Sequence, residues 1–184
     1  MDIEKLLNDL NSFSRMAVIE NAPLTEKIIN KYILILKYKY QKRTDPVIAE
    51  KELQVAKAIF EFGALKYGNI SGEINNQIDL KSILIPHYVI AGYLESLLDF
   101  STRQKWQVHF VVTVEQRANE VVFRVELQQK NSKSSSTMYD TSMDLCNMQQ
   151  TFITDWNDHG EEFLAVADQC GCEFKVRAGT ASIG

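Results

Sequence analysis

The sequence predicts an α+β fold: an N-terminal helical hairpin, then an α/β sandwich with helices on one face of a mixed, mainly antiparallel sheet. Three observations carry this expectation. Apolar residues recur at helical intervals as far as Tyr67, broken only at Asn21-Ala22-Pro23 and Asp45-Pro46. Alternation of apolar and polar residues then runs from Val108 to Leu127 across a polar turn. With 184 residues, 45% of them hydrophobic, the chain can bury one substantial core and still carry a small extension.

Residues 2 to 20 place Ile3, Leu6, Leu7, Leu10, Phe13 and Val18 at near-helical spacing, with Asp2 and Glu4 where a helix start favours anions. Pro23 suits the first turn of a second helix, whose apolar set, Leu24 to Tyr40, is wider than one stripe. A hairpin with that much apolar surface is expected to find a second copy of itself. Asp45 and Pro46 are expected to cap and open a third helix ending at Gly68-Asn69, with Leu53, Ala56, Ile59, Phe60 and Ala64 on its core face. Ile70 to Ile78 reads as an edge strand.

Pro86 precedes a central helix with Val89, Ile90, Tyr93, Leu94, Leu97 and Leu98 on one face. Its other face is small and acidic: Ala91, Gly92, Glu95, Ser96 and Asp99. Val108 to Val114 and Val121 to Leu127 form a hairpin turning at Arg117 to Asn119, with one buried face. Lys130 to Thr137 has no apolar residue and reads as a loop, Asp144 to Trp156 as a helix with Leu145, Met148, Phe152 and Ile153 on one side. Phe163 to Ala167 and Glu173 to Arg177 close the chain as a last hairpin around Gln169-Cys170-Gly171.

Net charge is −4 and basic residues are scattered, which argues against nucleic acid as a partner. The one basic run, Lys37 to Arg43, falls where cations complement the end of a helix. Nothing approaches the roughly 18 apolar residues of a membrane span, and MDIEKLLNDL lacks a signal-peptide layout, so the expected location is the cytoplasm. Three cysteines fit a reducing compartment; Cys146, Cys170, Cys172 and His159 match no established zinc spacing, and no metal is expected.

In this order the elements resemble the cytoplasmic part of sensor histidine kinases of the autolysin-regulator (LytS-like) family. Leu7-Asn8-Asp9-Leu10-Asn11-Ser12 is similar to the family's F-N-x-L-N-S. Glu52-Leu53 through Leu65-Lys66-Tyr67-Gly68-Asn69 is similar to its E-L…L-R-F-G-D, and Ile83-Leu84-Ile85-Pro86 to its I-P-P. Asp144 to Met148 is similar to its G-L-x-N-V. The resemblance implies a dimerising hairpin over 1–45, a Bergerat-fold (histidine-kinase-like) ATPase domain over 46–184, and a homodimer through residues 2–42. A sensor kinase or response regulator is the implied partner.

The family's chemical residues are mostly replaced. Glu4 stands at the acceptor histidine's position, and the first histidine is His87, outside the hairpin. The nucleotide helix motif E-N-A-x-K-H-G corresponds to Glu95-Ser96-Leu97-Leu98-Asp99-Phe100-Ser101: the acid is kept, a serine replaces the magnesium-binding asparagine, and Asp99 replaces a lysine. The adenine-binding D-N-G corresponds to Leu127-Gln128-Gln129, and recruiting Glu126 instead would turn its side chain to the other sheet face. Ser142 and Asp144 replace the glycines of G-x-G-L. A vestigial nucleotide pocket of Glu95, Ser96, Asp99, Leu127, Asn147 and Gly171 is therefore expected, with Glu95 a vestigial general base better read as a solvated glutamate. His87 reads as a helix-start residue, His109 as outward-facing, Trp106 and Trp156 as core edges.

The leading expectation is a catalytically inactive histidine-kinase-like signalling protein, acting by protein–protein interaction in two-component-type signalling with no cofactor. One rival is a divergent ATPase or kinase using Glu95, Asn147, ATP and magnesium. Another is a sensor holding a different small ligand between the acidic helix face and the Lys130 to Thr137 loop.

Overall fold

The computed structural model describes residues 2–41, 46–118, 120–129, 147, 149, 150, 163–167 and 171–177. Asp2 caps the first helix, α1 (Ile3–Ile19), its carboxylate accepting from the Glu4 and Lys5 amides. Helix α2 (Pro23–Lys39) starts on Pro23, whose missing N–H costs nothing there, and ends with Lys37 and Lys39 in its last turn. Small residues let the two helices close: Ser14 and Ala17 are buried, and the Ser14 hydroxyl donates to Asn30 Oδ1 at 2.8 Å.

The third helix starts later than Asp45-Pro46 implied. Val47–Ile48 (β1) instead pair antiparallel with Leu84–Ile85 (β3), the Ala49 amide donates to Ile83 O at 2.9 Å, and α3 (Ala49–Tyr67) begins without a side-chain cap. The β-branched pair prefers the extended form and finds a partner strand; Asp45 itself lies outside the described residues. Gly68 ends α3 at φ 72°, a left-handed position where glycine carries no Cβ penalty. Leu53, Ala56, Ile59 and Phe60 are buried as the periodicity implied, but Ala64 is exposed and Gly63 takes the inner place. A Cβ on Gly63 would meet Leu98 Cδ1 at 2.9 Å.

The sheet runs β2 (Ile70–Asn76), β4 (Val108–Arg117), β5 (Glu120–Gln129), β7 (Gly171–Arg177), β6 (Phe163–Ala167). The edge strand β2 is parallel to β4 and the remaining neighbours are antiparallel, so the sheet is mixed and mainly antiparallel. Arg117 faces Glu120 across the tight turn the sequence implied. Helices α3 and α4 (Val89–Arg103) cover one face, with Phe60 stacked on Phe110 at 5.8 Å and Tyr93 edge-on to Phe174 at 5.5 Å. The α+β class thus holds.

Two faces are better covered than alternation alone implied. Val111 and Val122, on the outer side of the sheet, are buried, and the same face carries an ion-pair array joining Arg117, Arg124 and Glu173. In α4 the small side is covered in part: Ala91 and Gly92 are buried, Glu95 and Ser96 half-buried and Asp99 exposed. The wide apolar girth of α2 packs inward: Ile35 enters the main core and Tyr32 stacks on Phe62 of α3 at 5.3 Å. Part of that surplus is covered within one chain, while Leu24 and Leu34 of α2, with Phe13, Met16 and Ile19 of α1, remain exposed.

The Lys130 to Thr137 loop, Trp156 and most of the Asp144 to Trp156 helix lie outside the described residues. Within that helix Asn147, Gln149 and Gln150 are helical, and buried Gln149 donates to the Tyr93 hydroxyl at 3.0 Å. No helix among the described residues is long and apolar enough to cross a membrane.

Candidate functional site

The start of α4 and the end of α2 meet over α3, and nearly every polar group that distinguishes this region lies at that junction. Glu52, fully buried on α3, is its centre. Its carboxylate accepts from the Tyr38 hydroxyl at 2.7 Å, from the Ala91 amide at 3.0 Å and from the Tyr88 amide. It therefore supplies the cap that α4 lacks locally, since Tyr88, at φ 66°, contributes no side-chain cap. Burial pushes the Glu52 carboxyl above its ordinary value, outweighing the hydrogen bonds from Ala91, Tyr38 and Tyr88 that favour the anion.

From the next residue of α2, the Lys39 ammonium lies 2.6 Å from Glu95 Oε2, and the Tyr88 hydroxyl donates to the same oxygen at 2.9 Å. Burial and the carboxylates of Glu95 and Glu52 push the Tyr88 phenol up, so it stays a protonated donor. His87 completes the join: its Nε2 is 2.9 Å from the Tyr38 carbonyl and its ring lies against the Tyr38 ring, 4.6 Å between centroids. The helix-start residue of the sequence reading is thus also a tie to the hairpin.

Between α2, α3 and α4 lies a cleft of about 440 Å³. Tyr32, Phe62 and Tyr67 line one part, Lys39, Glu95, Ser96 and Asp99 another. Three of the six expected pocket residues therefore do share a cavity. Glu95, however, is not the solvated glutamate the sequence suggested: it is half-buried and bound by Lys39 and Tyr88, because α2 folds back over it. The Ser96 hydroxyl donates to Gly92 O at 3.0 Å within its own helix, and Asp99 pairs with Arg103 one turn on.

The other three residues stand elsewhere. Leu127 sits opposite Phe110 and packs against the core; Gly171 opens β7 opposite Glu126; Asn147 is exposed on its helix. None of the three lines the cleft. Glu126 points to the outer face, where it meets Arg124, as strand periodicity required. His109 lies on that outer face as well, its Nδ1 2.8 Å from Ser71 Oγ. Cys172 is buried in β7, Cys146, Cys170 and His159 lie outside the described residues, and the described residues contain no metal-binding group of His, Cys, Asp and Glu.

Sequence reasoning missed Tyr38, Lys39 and Tyr88, which no motif marks. Glu52 had a visible signal: it shares the stripe Ala49, Glu52, Ala56, Ile59, Gly63, a single charge on an otherwise small and apolar helix face.

No protein-family model and no curated protein matches the sequence. Solved structures do match in overall course. The Acinetobacter baumannii histidine kinase AdeS aligns over 97% of this chain and 96% of its own, at TM-score 0.46 and 9% identity. A bacterial phosphotransferase solved at 1.7 Å aligns over 96% and 90%, at TM-score 0.47 and 11% identity. The Erythrobacter litoralis EL346 blue-light activated histidine kinase aligns over 97% of this chain and 62% of its own, at TM-score 0.42 and 8% identity.

Proposed function

We propose that this chain is a degenerate histidine-kinase-like signalling protein of the LytS-like type, cytoplasmic, that acts by binding other proteins and takes no nucleotide. Residues 1–45 serve as a dimerising hairpin and 46–184 as the degenerate ATPase-like domain. A homodimer forms through residues 2–42, and the partner is a sensor kinase or a response regulator.

The supporting observation is the ammonium of Lys39 on Glu95. In the family the corresponding acid works on a nucleotide; here an internal cation and the Tyr88 phenol hold both its charge and its geometry. A carboxylate paired with an ammonium and a phenol on one oxygen is a weaker proton acceptor than a free one. With Ser96 spent on its own helix, the described lining of the cleft offers magnesium neither an amide oxygen nor an uncompensated carboxylate. Glu4, exposed in the first turn of α1, offers no imidazole for phosphoryl transfer.

Isothermal titration of the full chain with ATP and magnesium tests this reading. The expected result is no saturable heat, and micromolar binding would overturn it. Labelled ATP is likewise expected to transfer no phosphate to the chain or to a partner, and transfer abolished by Glu95→Ala would establish the enzyme reading instead.

A further inference from the structure

Two surfaces on this chain are left over once the hairpin has packed on α3, and they are complementary. The first is a groove of about 620 Å³ between α2 and α3. Ile33 and Val55 form its floor, Leu34 is exposed on its wall, and among the described residues its charged lining is Lys37 and Lys51, with no carboxylate. The Lys37 end of the groove belongs to the basic run, and with Lys39 turned away onto Glu95, Lys37 is the cation of the last helical turn that faces the opening.

The second surface is a stripe of α1 about a quarter-turn around the helix from the Ser14–Ala17 side that meets α2. Helical spacing puts Asp2, Leu6, Asp9, Phe13, Met16 and Glu20 on it. Phe13 is 55% exposed and Met16 51%, a large apolar area with three carboxylates and no base on the stripe. An apolar stripe edged by acids matches an apolar floor edged by lysines in both shape class and sign of charge.

We propose that α1 of one copy lies in the α2–α3 groove of a second copy, and reciprocally, so that the dimer interface includes α3 as well as the hairpin. The reciprocal arrangement is isologous and closes at two copies. The inference rests on the homodimer reading above and adds which surface receives which helix. Phe13 and Met16 cover Ile33, Leu34 and Val55, while Asp9 and Glu20 face Lys37 and Lys51.

Charge reversal in the full chain tests it by sedimentation equilibrium. Lys37→Glu with Lys51→Glu is expected to weaken the dimer about tenfold or more, as is Asp9→Lys with Glu20→Lys, through like-charge opposition. All four changes together are expected to restore wild-type association. All four positions are exposed, and circular dichroism confirms the fold of each variant. A dimer whose dissociation constant is unmoved by either pair, or is not restored by the four changes, overturns the groove assignment and leaves the hairpin dimer standing. A wild-type chain that stays monomeric overturns both.

Discussion

Replacing Glu52 with alanine is expected to lower the free energy of unfolding by about 2–4 kcal/mol in urea titration, because three donors around a fully buried carboxyl, one buried and two part-buried, lose their acceptor at once. Those donors are the Tyr38 hydroxyl and the Tyr88 and Ala91 amides, so the loss falls on the docking of α2 and on the first turn of α4 together. Relief of the buried charge offsets part of it, which is why the figure stays below the simple sum. Glu52→Gln keeps one acceptor but turns an amide N–H₂ toward a donor, and is expected to cost less. An unchanged urea midpoint for Glu52→Ala would mean that the junction does not hold the hairpin.

The same residue fixes the sign of a pH dependence. Its folded carboxyl lies above the ordinary 4.5 because burial outweighs its donors. The folded state then keeps its proton longer than the unfolded chain, so the Glu52 contribution is greatest below 4.5 and is lost as pH rises through the raised folded value. Glu173 acts in the opposite sense. Burial pushes its carboxyl up, but hydrogen bonding from Arg124 and the charges of Arg117, Arg124 and Lys175 outweigh that and leave it low. Its contribution is present above the ordinary 4.5 and is lost as pH falls through the lowered value, so the two windows lie on opposite sides. The stability difference between wild type and Glu52→Gln isolates Glu52 and is expected to shrink as pH rises; a difference that grows would reverse the assignment.

What could be read from residues alone follows from the range of the forces involved. Asp2, Pro23, Gly68 and the Val108 to Leu127 alternation are local signals, and each marks the element it implied. The start of α3 was misplaced because Val47 and Ile48 follow their pairing with Leu84 and Ile85, a contact nearly forty positions away. The candidate site divides in the same manner. Glu95, Ser96 and Asp99 share one helix face and so reach one cavity together. Lys39 on Glu95 joins residues 56 positions apart, and no periodicity could have announced it. Glu95 reads as open in the sequence because its cation, Lys39, comes from α2, an element the sequence assigns to a separate hairpin.

A methyl group at Gly72 is the other change with a large expected cost, about 1–3 kcal/mol of overpacking in Gly72→Ala. A Cβ there would fall 2.5–2.7 Å from three atoms of the Phe60 ring. Neither side can retreat cheaply. The ring is 4% exposed and lies nearly parallel to Phe110, while Gly72 is held in register opposite that same Phe110 in β4. Alanine would gain a few tenths of a kcal/mol from reduced unfolded-state freedom, too little to reverse the sign. Phe60→Leu opens space at the clash and should make the double variant more stable than the sum of the two single losses predicts. A coupling of about 1 kcal/mol or more is expected from residues in direct contact. Strict additivity would place the cost of Gly72→Ala in the strand itself and not in its contact with α3. That distinction matters for the whole layer, because among the described residues β2 joins the sheet through β4, and the Phe60 ring over Gly72 is one of the contacts that pack α3, the helix carrying Glu52, against the sheet edge.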